Sequence, residues 1–211
     1  MKIQYQAALA LLFISGLAAA QPPRPSFAPP VFQPAANCPL TFSGTLSPQG
    51  QVLSILRVAK HKDDPSFLAA GQGRAKQNKS FCAMEIRLEK PLAGAELLSI
   101  DMRGQDIKDF DAVLSYGLRI GPQEHKVEYA RGRWLDTASG GEIKRFVVRL
   151  SPKTQVVRIA LSGMARSYDG TANASYDFDS LDFCFVDAGQ PEYCGPASLP
   201  LPLSPGASAP G

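Results

Sequence analysis

The chain has 211 residues, a formal net charge of +3 and 45% hydrophobic residues, enough apolar content for one well-buried domain. Lys2 accounts for one of those charges and lies in the leader described next, so the body is close to neutral and lacks the basic excess of a nucleic-acid binder. No apolar run reaches the roughly 18 residues that a membrane-spanning helix needs.

Residues 1–20 read as a signal peptide, with Lys2 before an apolar core over 8–17 and a small-residue cleavage site at Ala18, Ala19 and Ala20. Gln21, not cysteine, follows, which argues against a lipid anchor at that position. The expected location is therefore secreted, either extracellular or periplasmic. In an oxidising compartment Cys38, Cys82, Cys184 and Cys194 form a disulfide framework for which three pairings are open. Parity favours Cys38–Cys82 as a core staple, because Cys82 shares a face with Met84, Ile86 and Leu88. Proximity favours Cys184–Cys194 as a clip for the C-terminal segment. Zinc is disfavoured, since the cysteines show no C-x-x-C or Cys/His spacing.

Residues 21–37 hold six prolines between Gln21 and Ala36 and are expected to form an extended linker outside the core. The domain is expected over 38–187. It opens with a hairpin whose turn, Ser47-Pro48-Gln49-Gly50, places proline second and glycine fourth. Residues 60–80 show no period and carry Lys60, Lys62, Arg74, Lys76 and Lys79, predicting a long basic loop with at most a helical turn near 65–70. Period-two alternation then marks strands over 81–90, 96–103, 112–120, 125–129 and 146–150, with a polar stretch at 104–108. Two long strands close the domain, joined by a loop containing Asp169-Gly170. In the last one Ala174, Tyr176 and Phe178 share one parity and Leu181, Phe183 and Phe185 the other, a slip that predicts a β-bulge at Asp179-Ser180. Residues 188–211 are a Pro/Ser/Ala-rich tail. About nine strands with turn chemistry between them and no helical period predict an all-β fold, an antiparallel sandwich or jelly roll stapled by disulfides.

No catalytic set can be assigned. Nucleophilic catalysis has only His61 and His125 as imidazole bases, and the cysteines are committed. Glu85, Glu89 and Asp101 are the acids that a polysaccharide-acting hydrolase would have to bring together. Asp169, Asp177, Asp179 and Asp182 are candidate oxygen ligands for Ca²⁺, although their spacing is not that of an EF-hand loop. Arg131, Arg133 and Trp134 are candidate ligand-binding residues: an exposed indole beside guanidinium groups can stack on a sugar or hold an anionic glycan. Asn78-Lys79-Ser80 and Asn173-Ala174-Ser175 fit the glycosylation acceptor pattern.

Cys38-Pro39, the S-P-x-G turn at 47–50, Cys82 in a strand ending near Pro91, and Arg103-Gly104 together resemble a group of secreted, disulfide-bearing β-sandwich domains of unknown function. The likeness spans about 38–187 and departs at Cys184 and Cys194. The closing strand, F-D-S-L-D at 178–182, resembles the last strand of carbohydrate-binding jelly rolls, a resemblance that implies a structural calcium near that strand and glycan binding on an aromatic-lined face. The expected function is a secreted binding or surface-associated module directed at a glycan or another envelope or extracellular component. The alternatives are a polysaccharide-acting hydrolase, and a structural or partner-binding protein that uses the basic loop 60–80.

Overall fold

The computed structural model describes residues 24–32, 38–58, 66–137, 142–188 and 194. The expected signal peptide and nearly all of the expected tail lie outside them. The strands in chain order are β1 (Val31–Phe32), β2 (Phe42–Leu46), β3 (Val52–Arg57), β4 (Leu68–Ala70), β5 (Gln77–Arg87), β6 (Glu96–Lys108), β7 (Ala112–Ile120), β8 (Gln123–Tyr129), β9 (Leu135–Asp136), β10 (Glu142–Leu150), β11 (Val156–Ser167) and β12 (Ala174–Val186). Nine of them have five residues or more; β1, β4 and β9 are the short additions. The described residues contain no helix, and hence none long and apolar enough to cross a membrane.

Two antiparallel sheets face each other. One runs β1-β5-β11-β7-β8, and the other runs β10-β6-β12-β3-β2, with β4 added to β12 and β9 to β6. The alternation that makes each strand also fills the space between the sheets. Cys82, Met84 and Ile86 of β5, Leu114 and Leu118 of β7, Leu98, Ile100 and Met102 of β6, and Leu181 and Phe183 of β12 are all fully or almost fully buried in one cluster. Cys38–Cys82 and Cys184–Cys194 are the disulfides. Their sequence separations of 44 and 10 correspond to about 4 and 3 kcal/mol in the chain-entropy model.

The expected bulge is present. β12 pairs with β6 through Phe178↔Gly104 and resumes at Ser180↔Arg103, so Asp179 is the extra residue that moves the buried set to the other parity.

Three expectations change. The proline-rich segment is not wholly outside the core: Phe27 is buried, bridges to Leu88 and stacks on Phe185 at 5.3 Å, while Val31–Phe32 pair with β5. Burying that one ring stabilises the fold by roughly 1.5–3 kcal/mol, which outweighs the linker-like composition around it. Within the expected basic loop, residues 60–65 lie outside the described residues, but residues 66–80 are not a loop throughout. Leu68–Ala70 pair with β12, Phe67 is buried, and β5 begins at Gln77. Finally, β6 does not end at 103. It continues to Lys108 and turns Asp106 and Lys108 inward, both buried. Polar groups are tolerated there because partners reach them. Tyr116 and Tyr129 donate to the Asp106 carboxylate at 2.7 and 3.1 Å, and the Lys108 ammonium donates to main-chain carbonyls.

Candidate functional site

The inward polar end of β6 organises one end of the sandwich. Here the β6–β7 turn (109–111), the segment after β8 (130–134) and the β11–β12 loop (168–173) converge. The Lys108 ammonium donates to the carbonyls of Asp109 at 3.1 Å, Ala112 at 3.3 Å and Arg133, so one buried cation spans two of the three segments. Burial pushes its pKa below the ordinary lysine value. The Gly132 amide donates to the Phe110 carbonyl at 2.9 Å, and Gly132 takes φ +91°, a backbone shape that glycine adopts without strain. The third segment is tied in by the Asp109 amide to the Asn173 carbonyl at 2.8 Å, the Asn173 amide to the Asp109 carboxylate at 2.7 Å, and the Tyr168 amide to the Asp111 carbonyl at 3.1 Å.

These ties leave aromatic side chains outside. Trp134 is 73% exposed, Phe110 49% and Tyr168 42%. Of the large exposed hydrophobic residues among those described, Phe81 is the one other aromatic, and it lies on β5. The guanidinium groups of Arg131 and Arg166 lie over the Tyr168 ring at 4.9 and 4.6 Å, and Arg131 is held by the Asp111 carboxylate at 2.6 Å. Beside Trp134 opens a pocket of about 430 Å³ lined by Lys108, Glu128, Tyr129, Arg133, Trp134 and Leu135, among others. Tyr129 joins this pocket to the interior, donating to Asp106 and accepting from the Lys144 ammonium at 2.8 Å. Desolvation keeps its phenol protonated, above the usual tyrosine range. An apolar plate, a concavity and convergent polar groups are the usual ingredients of a small-ligand site.

Of the residues singled out from the sequence, Arg131, Arg133 and Trp134 are all at this end, with Arg133 and Trp134 lining the same pocket. Phe110, Tyr168 and Arg166 were not anticipated. Phe110 and Tyr168 lie in turns, outside any alternation, and an aromatic flanked by aspartate in a turn was the signal available.

The four aspartates proposed for calcium are not assembled. Asp169 caps its own loop, accepting from the amides of Thr171 at 2.8 Å and Ala172 at 2.7 Å. Asp177 pairs with Arg57, and Asp182 is buried against Arg103 at 2.9 Å with Ser54 on its other oxygen. Asp179 is exposed at the bulge. Among the described residues no group of three or more His, Cys, Asp or Glu is placed to hold a metal ion.

The acids considered for hydrolysis are equally separate. Glu85 lies between Arg87 and Arg158 on the outer face of one sheet, and Glu89 accepts from Ser26 at 2.8 Å. Asp101 lies on the outer face of the other sheet, fully buried under Arg145. Two carboxyl groups that act on one glycosidic bond must lie within about 10 Å across a shared cleft, and groups on opposite outer faces do not.

No family model and no curated protein matches this chain. Among solved structures it is similar to that of TmCBM61 in complex with beta-1,4-galactotriose, at 16% identity over 71% of this chain and 89% of the other, with a TM-score of 0.26. At that score nothing is transferred from it to this chain.

Proposed function

We propose that this protein is an exported β-sandwich module that binds glycans at the end carrying Phe110, Trp134 and Tyr168, and that Trp134 is the platform. The observation behind this reading is the exposure of Trp134, 73% at the rim of the pocket. An indole left in water has no stabilising role in the core, whereas its flat apolar face matches the C–H face of a pyranose ring. The neighbouring Glu128 carboxylate and Arg133 guanidinium supply acceptors and donors for hydroxyl groups, and main-chain ties hold the platform rigid, so little ordering cost attends binding.

Trp134 is the single tryptophan of the chain, so its fluorescence reports this site alone. Titration with a panel of soluble polysaccharides is expected to shift its emission for at least one member. Trp134→Ala is expected to weaken that binding tenfold or more, about 1.4 kcal/mol, with an unchanged thermal transition. Failure of every polysaccharide to bind, by fluorescence and by affinity electrophoresis, overturns the reading. A second reading rests on the same composition: exposed Trp, Tyr and Arg are also what protein-binding hot spots contain. It predicts a protein partner whose capture depends on Trp134 while no glycan binds.

A further inference from the structure

We infer that the glycan taken at this end is an acidic one, with a carboxylate or sulfate group received by Arg133 while the sugar ring lies on Trp134. This rests on the glycan reading and adds the chemical class. The charged residues lining the pocket are Lys108, Glu128 and Arg133, and they are not equally available. The Lys108 ammonium is turned inward and committed to three main-chain carbonyls. The Glu128 carboxylate is already held by Lys126 at 2.8 Å, which offsets its repulsion of an incoming anion. Arg133 differs from both: it is exposed, and among the described residues its guanidinium has no hydrogen-bond or ion-pair partner.

The neighbouring cations make the same contrast. Arg131 is engaged by Asp111, and Arg131 and Arg166 both lie over the Tyr168 ring. Both are committed to Tyr168 outside the pocket lining, and Arg133 is the cation left for a ligand. The stereochemistry agrees. A uronic carboxylate projects from the rim of the pyranose ring, roughly in its plane, so a ring stacked on the indole carries its anion sideways towards the adjacent lining residue. A guanidinium meets a carboxylate or sulfate with two parallel N–H donors, which a neutral hydroxyl cannot fully use.

The test uses the full mature chain and paired probes: polygalacturonate against its carboxyl-reduced form, and κ-carrageenan against its desulfated form. At low ionic strength at least one acidic polymer is expected to bind tenfold or more tightly than its neutral counterpart, with the advantage shrinking as salt rises. Arg133→Gln should abolish that advantage, bringing the acidic polymer down to the level of its neutral counterpart, Arg133→Lys should restore part of it, and Trp134→Ala should remove binding of both. Which pair shows the effect separates carboxylate from sulfate recognition. Equal binding of acidic and neutral polymers, or an acidic advantage that survives Arg133→Gln, overturns the inference while the glycan reading stands. Oligo-dT binding as tight as the acidic polymer overturns it in favour of a general polyanion surface. Binding to none of these four polymers overturns the acidic assignment, and the glycan reading falls with it only when the rest of the polysaccharide panel also fails to bind.

Discussion

Asp101 and Asp182 face each other as register partners across β6 and β12, two buried carboxylates side by side, each with its own guanidinium. Arg145 reaches Asp101 from β10 with Nε to Oδ1 at 2.8 Å and Nη2 to Oδ2 at 3.1 Å, and Arg103 reaches Asp182 at 2.9 Å. Two like charges in adjacent rungs repel, so the arrangement holds only with both cations in place. Arg145→Met should therefore cost about 3–5 kcal/mol, since it strands a buried charge beside another. Adding Asp101→Asn should restore much of that loss. Denaturant unfolding of the parent and the two variants at pH 7 is the measurement, and an Arg145→Met protein as stable as the parent would show that the pair is not a determinant of the fold.

Gly104 sits opposite the bulge, paired with Phe178 just where the register shifts. A Cβ there would stand 2.6 Å from the Asp177 carbonyl oxygen and closer still to the Tyr176 ring. Tyr176 in turn stacks on Tyr116 at 3.9 Å with planes 3° apart, so neither neighbour can yield without disturbing both sheets. Gly104→Ala is expected to lower stability by about 1–3 kcal/mol or more. Glycan binding, if measured on the folded fraction, should be nearly unchanged, because the platform side chains are elsewhere.

The bulge could be read in the sequence because a slip of one residue in a period-two pattern leaves a visible trace at Asp179. The disulfide pairing could be read because Cys82 shares the parity of Met84 and Ile86, and Cys184 lies only 10 positions before Cys194. Phe27 was lost among prolines, since composition averages over a segment and burial is decided residue by residue. Asp106 and Lys108 were lost because their burial depends on Tyr116, Tyr129 and the Arg133 carbonyl, which are distant in sequence. The site shows the same limit. Arg131, Arg133 and Trp134 are adjacent in the chain and could be proposed as a group. Phe110 and Tyr168 join them only through the topology that brings residues 109–111 and 168–173 together, and no periodicity encodes that.

Lys108 is the residue that couples this platform to the core. Lys108→Met keeps the side-chain bulk and removes the donor, leaving the Ala112 and Arg133 carbonyls short of a partner. The expected cost is about 1–3 kcal/mol in unfolding free energy. The 130–134 segment should loosen more than the rest, seen as faster amide hydrogen exchange there and a changed emission from Trp134. Glycan affinity should fall although Lys108 would not touch the ligand. Uniform exchange across the domain with unchanged affinity would mean that the ammonium stabilises the fold without positioning the platform.

Asp169 gives the β11–β12 loop a pH dependence. Amide donation from Ala172 and Thr171, and then the Ser167 hydroxyl at 3.1 Å, hold its carboxyl well below the ordinary carboxylate range. A group whose pKa is depressed on folding adds stability that is complete above its unfolded pKa, about 3.9 for aspartate, and is lost progressively as the pH falls from there towards the folded value. Asp169→Ala should thus melt below the parent at pH 7 and pH 5, with the gap narrowing steadily below about pH 4. Asp169→Asn should retain part of the stability with a flatter pH response, because an amide oxygen accepts the same N–H groups without titrating. Tyr168 is the adjacent residue and its amide is anchored to Asp111, so the loop rearrangement in Asp169→Ala should also reach the aromatic end. A gap in melting temperature that stays constant from pH 7 to pH 2.5 would show that Asp169 acts by shape alone.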